Sequence, residues 1–156
     1  MKEMVYGSDN SRKIYPIDAD TYNGYTYVIL NIHGSHPCCY VKLPSNHRLA
    51  KIALENYDEL EISCHGGITY AEDHLNLIRR FDLIEDKWID ILSDYSGVWI
   101  GWDYAHCDDY MYDPYFDREP MEWEHKYTYE ELVLDVFNVI DQIVEGDKNG
   151  DETSEL

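Results

Sequence analysis

Cationic side chains are scarce in this chain: 12 Lys and Arg stand against 32 Asp and Glu in 156 residues, a formal net charge of -20. That shortage excludes direct binding to DNA, RNA or anionic lipid, because each requires Lys and Arg to displace counterions from phosphates. The partner it suits is a basic protein or a cation. Phenylalanine is almost missing, with 3 copies against 15 tyrosines. Tyrosine joins an apolar ring to a polar tip, so its excess fits a surface that contacts something. No run approaches the roughly 18 apolar residues of a membrane span. Met1-Lys2-Glu3-Met4 has no basic patch leading into an apolar segment, so a soluble, cytoplasmic protein is expected. The four cysteines, Cys38, Cys39, Cys64 and Cys107, include no C-x-x-C and two are adjacent. A secreted disulfide framework therefore fits poorly, and reduced thiols, buried or near a metal, are expected. G-x-S-x-G, H-E-x-x-H and the zinc-deaminase signature are also missing. Asp147-Lys148-Asn149-Gly150-Asp151 starts like a calcium loop but has Glu152 where that loop needs glycine.

What is present reads as an α+β domain over residues 1–146, a small, mostly antiparallel sheet packed on two or three helices, followed by an acidic, disordered tail at 147–156. Hydrophobic residues make up 44% of the chain, enough for a packed core. Residues 1–24 are polar and turn-rich, ending in Tyr22-Asn23-Gly24. The β-branched and aromatic content predicts strands at 25–32, 39–43, 60–65 and 98–102. Ser45 is placed to cap a helix over about 48–56. Ile84, Trp88, Ile91 and Leu92 recur at helical spacing and predict a helix over 83–95. A second helix is expected over about 129–145, opened by a Thr128/Glu131 capping box, striped by Val133, Val136, Phe137, Ile140 and Val144, and closed by Gly146.

Chemistry concentrates where two strands end. His65-Gly66-Gly67 follows one, and Asp103-Tyr104-Ala105-His106 follows another, so an imidazole and an Asp-x-x-His pair can converge on one rim of the sheet. That set suits zinc, with His47 as the remaining ligand: the expected site is His47, His65, Asp103 and His106. Against it stands the plainer reading that seven histidines produce such pairs by chance.

The order of motifs is itself informative. His36-Pro37-Cys38-Cys39-Tyr40-Val41, Pro44 with His47, His65-Gly66-Gly67-Ile68-Thr69-Tyr70, and Trp99-Ile100-Gly101-Trp102-Asp103-Tyr104-Ala105-His106-Cys107-Asp108-Asp109 follow one another. The series resembles a set of small proteins encoded by bacteriophages and prophages, whose pattern runs roughly H-x-C-x-Y-V, P-x-x-H, H-G-G-L-T-[YF] and [WF]-G-F-D-x-A-H-x-G-D. The likeness covers about residues 30–110. Trp102 replaces Phe and Asp108 replaces Gly, and neither change removes an expected ligand. The resemblance implies a phage setting, a bacterial host cytoplasm and a metal-binding core.

Between Asp103 and Glu131 lie ten acidic and two basic residues, a formal -8, interleaved with Tyr104, Tyr110, Tyr112, Tyr115, Tyr127 and Tyr129. Such a surface can imitate a nucleic-acid backbone and dock into a basic groove, with contacts expected from Asp108, Asp109, Tyr110, Tyr112, Asp113, Tyr115, Asp117 and Glu119. A solvated acidic loop kept for solubility is the alternative. With the phage resemblance, the functional expectation is a non-enzymatic inhibitor of a host nucleic-acid-handling defence protein, anti-CRISPR-like and directed at an effector such as Cas9, with a structural zinc. The alternatives are a small zinc-dependent hydrolase, with Asp103 or Asp109 as base, and a sponge for a signalling nucleotide.

Overall fold

The two-residue turn Asn23-Gly24 sets the first register. Both residues have positive φ, 48° and 84°, the combination whose twist matches a tight hairpin. It joins β1 (Ile14–Tyr22) to β2 (Tyr25–Ile32). In the computed structural model, which describes residues 5–7, 14–75, 79–82, 84–90, 96–113 and 118–154, the segment expected to be only polar and turn-rich thus supplies an edge strand. Pro16 sits at its register shift, where a missing N–H costs no ladder bond. A second turn with positive φ at His33 and Gly34 leads into β3 (His36–Leu43).

The chain then makes α1 (Ala50–Asn56) and a single 3-10 turn, and returns as β4 (Tyr70–Glu72). Ser45 is not the cap of α1; its first turn is held by the His47 carbonyl and by His47 Nδ1, which accepts from Leu49 N–H at 3.0 Å. β5 (Arg79–Asp82) and β6 (Lys87–Asp90) form a separate hairpin, and β7 (Val98–Asp103) runs between β3 and β4 in the main sheet. That sheet is five-stranded and antiparallel, in the order β1-β2-β3-β7-β4. The second long helix, α2 (Tyr129–Ser154), completes an α+β architecture.

Strand alternation builds two cores. Tyr27, Ile29, Cys39, Val41, Leu43, Val98, Ile100 and Trp102 face α2, while Val28, Leu30, Cys38, Tyr40 and Trp99 face the other way. Both faces are buried, which is why these strands read as unbroken apolar runs. From α2, Leu132, Val136, Val139, Ile140 and Ile143 are fully buried, and each such side chain contributes about 1.5–3 kcal/mol. Val133, Phe137 and Val144 flank this stripe and are only partly buried. Gly101 permits the closest strand packing: a Cβ there would lie 2.5 Å from the Tyr40 ring.

Three expectations are corrected. Residues 60–65 are not a strand; Gln142 of α2 instead satisfies the backbone of Ser63, accepting from its N–H at 2.8 Å and donating to its carbonyl at 2.7 Å. The helix expected over 83–95 is, in its described part, a turn followed by β6, with Asp86 at φ 53° and Ile84 95% exposed. Residues 91–95 lie outside the described residues. Gly146 does not stop α2, and 147–154 continue it instead of forming a tail. Asp147 pins that extension, accepting from Tyr25 OH, from Arg48 Nε at 2.9 Å and from His47 Nε2 at 2.9 Å. Among the described residues, no helix is long and apolar enough to cross a membrane.

Candidate functional site

Two turns beyond the sheet build the site. Cys64-His65-Gly66-Gly67 closes through Gly67 N–H to Cys64 O at 3.1 Å, with Gly66 at φ 70°, a backbone shape that glycine adopts without strain. The chain leaving β7 turns at Asp103, whose Oδ1 accepts from Ala105 N–H at 3.1 Å and whose Oδ2 accepts from the Thr69 hydroxyl at 3.2 Å. A further turn places Asp109 N–H on the His106 carbonyl at 2.9 Å. These turns set His65 and His106 edge to face, with ring centroids 5.4 Å apart.

Asp109 joins them. It is 2% exposed, and its Oδ2 accepts from His65 Nε2 at 2.7 Å and from His106 N–H at 3.0 Å. Since an ionised carboxylate only accepts, the His65 proton sits on Nε2 and leaves Nδ1 to accept from Tyr127 OH at 3.2 Å. Tyr104 stacks on the same ring at 4.7 Å and 7°. Tyr104 is anchored beneath by accepting from Trp102 Nε1 at 3.0 Å and donating to Asp135 at 2.6 Å. Burial first, and then the charge of Asp109, push the Tyr127 hydroxyl up to about 12.

Ligand atoms of His65, His106 and Asp109 all lie within 4.8 Å of one another, so these three can hold a cation. The expected ligands are therefore met in part. His65 and His106 come together. Asp103 stands beside them, its Oδ1 3.4 Å from His106 Nε2, but is committed to its turn. His47 is elsewhere, against Asp147, Arg48 and Tyr25, because α1 begins on the opposite flank from the strand ends. Asp109, read from sequence as a surface contact, takes its place. The signal lay in the resemblance pattern, whose last residue it is. Burial pushes the Cys38 and Cys64 thiols up to about 12, and neither stands with the His65, His106 and Asp109 ligand atoms. A second group, Glu72, Asp73 and His74, is exposed.

The acidic segment is folded over this site. Residues 108–110 run beside 123–125 through Tyr110 N–H to His125 O at 3.0 Å and His125 N–H to Asp108 O at 2.8 Å. Of the expected contact residues, Asp109 and Tyr110 are buried, 2% and 3% exposed, so they belong to the framework and not to a docking surface. Arg118 and Lys126 both lie over the Tyr110 ring, at 5.3 Å. Asp108 and Glu119 are exposed, and Tyr112 and Asp113 half-buried. Tyr115 and Asp117 lie outside the described residues. The sequence reading passed over Trp123 and Met121, 65% and 50% exposed, though an unpaired Trp among acids was the available cue.

A two-pronged bond fixes this loop: Arg118 donates to Glu124 at 2.6 and 2.9 Å, and Met121 N–H adds a third bond at 2.9 Å. The Arg118 guanidinium first, then that N–H, hold the Glu124 carboxyl down from the usual 4.5 to about 2. A depressed folded value stabilises above the unfolded one, so the contribution is complete above about pH 5 and is lost as pH falls through 4.5 towards 2. NMR titration of the Glu124 carboxyl is expected to give a midpoint near 2. A midpoint at the ordinary glutamate value would show the pair absent in solution. No family model matches the chain, and neither a curated protein nor a solved structure is significantly similar to it, which leaves these side chains to carry the functional reading.

Proposed function

We propose that the protein works by binding, as an acidic inhibitor that occupies the nucleic-acid groove of a basic defence protein in a bacterial cytoplasm, in the manner of an anti-CRISPR protein. The observation that carries this reading is Trp123, 65% exposed with Met121 at 50%, on a loop fixed by the Arg118–Glu124 pair and fringed by exposed Asp108, Glu119 and Glu122. Tryptophan is the residue most enriched where partners contribute binding energy, and an acidic rim steers it to a positive partner. The channels of CRISPR effectors for guide and target have that sign. A formal charge of -20 adds long-range attraction.

The test is target-DNA binding by guide-loaded Cas9, followed by mobility shift with the protein added, beside capture of nuclease-treated lysate proteins. The expected result is loss of DNA binding, or capture of another basic nucleic-acid-binding protein, with association slowing as salt rises. Joint replacement of Asp108, Glu119 and Glu122 by Asn or Gln is expected to slow association at least tenfold, and Trp123→Ala to speed dissociation at least tenfold. Affinity unchanged in both variants would place the interface elsewhere. Capture of no basic partner would remove the reading.

A further inference from the structure

We infer that His65, His106 and Asp109 bind one divalent transition-metal ion of the zinc class, which staples the 64–67 turn to the 103–109 turn. The inference stands apart from the binding reading above. Two imidazoles and a carboxylate are the donors zinc takes, whereas calcium and magnesium prefer all-oxygen shells. Ligands 2.0–2.1 Å from a tetrahedral ion lie about 3.3 Å from each other. The three ligand atoms here lie within 4.8 Å of one another, so a contraction of at most about 1.5 Å and a slight opening of the 2.7 Å His65–Asp109 contact reach that spacing.

His106 supplies the independent sign. Its Nε2 is buried and has no hydrogen-bond partner, a rare state for a polar atom. The backbone of Gly66 closes against that ring, so tightly that a Cβ would meet Nε2 at 2.0 Å. Asp103 Oδ1 stands 3.4 Å from that nitrogen without bonding it, and a buried imidazole nitrogen left without a hydrogen bond is accounted for by a role as a metal ligand. The surroundings are those that orient metal-binding histidines: Tyr127 OH on the far nitrogen of His65, which can accept from Nδ1–H once a metal takes the place of the proton on Nε2, Tyr104 stacked on the ring, and the His106 N–H fixing Asp109. Three protein ligands leave a fourth position for water or for a partner's side chain.

The test uses the full chain, stripped with chelator and titrated with zinc and, separately, with cobalt. One equivalent is expected, with a cobalt absorption band typical of four or five ligands and a melting temperature raised by about 5–10 °C at a hundredfold excess over Kd. His106→Ala is the decisive variant because its ring nitrogen has no hydrogen bond to lose: without metal it is expected to stay folded, with only the small loss of its ring contacts to His65 and Asp103, and with metal to bind at least 100-fold more weakly and gain no melting temperature. His47→Ala and His74→Ala are expected to bind as the unaltered protein does. Absence of stoichiometric binding, full binding by His106→Ala, or loss of binding in either control would overturn the site.

Discussion

Replacing Trp102 by alanine is expected to remove about 4 kcal/mol of stability, the range for deleting a fully buried aromatic side chain. Trp102 is 1% exposed on the interior strand β7, facing α2. Its removal leaves a cavity between sheet and helix that a paired strand on each side of β7 cannot collapse to fill. It also removes the N–H that Tyr104 OH accepts at 3.0 Å, and so loosens the ring on which His65 stacks. A domain of this size has about 5–15 kcal/mol in total, so the variant should unfold near body temperature. Trp102→Phe keeps most of the volume and loses the donor, and is expected to lose about 1–2 kcal/mol. Urea denaturation with an unchanged slope checks both. A loss under 1 kcal/mol for the alanine variant would contradict the packing described.

Asp109→Ala is expected to cost about 3 kcal/mol even without any metal, whereas Asp108→Ala, its exposed neighbour, should stay within about 0.5 kcal/mol. The difference follows from what each carboxylate touches. Asp109, 2% exposed, accepts from His65 Nε2 and His106 N–H; without it, both donors lose their acceptor at a position that is itself buried. Chemical denaturation in chelator-containing buffer compares the two variants. Nitrogen NMR of the His65 ring adds a readout that lost packing alone does not move, because the proton is expected on Nε2 in the unaltered protein and free to exchange sites in Asp109→Ala. Equal stability of the two variants would place Asp109 at the surface, where the sequence reading had put it.

Much of the sheet was legible because its signals are local. The β-branched and aromatic runs of β2, β3 and β7 dictate extended backbone, Asn23-Gly24 dictates a tight turn, and Thr128 with Glu131 forms the reciprocal cap, at 3.2 and 3.1 Å. The failures are non-local. Leu60 to His65 has strand composition, but its backbone is taken by Gln142, 79 residues away from Ser63. The 84–90 segment has helical spacing, yet a positive φ at Asp86 turns it into a hairpin. Gly146 should end a helix, but Asp147 has Tyr25, His47 and Arg48 to hold it, so α2 continues.

By itself the sequence determined the α+β class, the net charge of -20, and the strand end just beyond which His106 stands. All three depend on composition or on neighbours within a turn. Only the tertiary structure decided that Asp109 joins His65 and His106 while Asp108 faces water, that His47 belongs to a helix-anchoring cluster, and that Trp123 is left outside the core. Which of two adjacent carboxylates is buried depends on which donors the fold brings to it, and those donors come from segments 44 residues away in the case of His65. No local pattern records that distance, because it is set by how β7 pairs and where α2 lands.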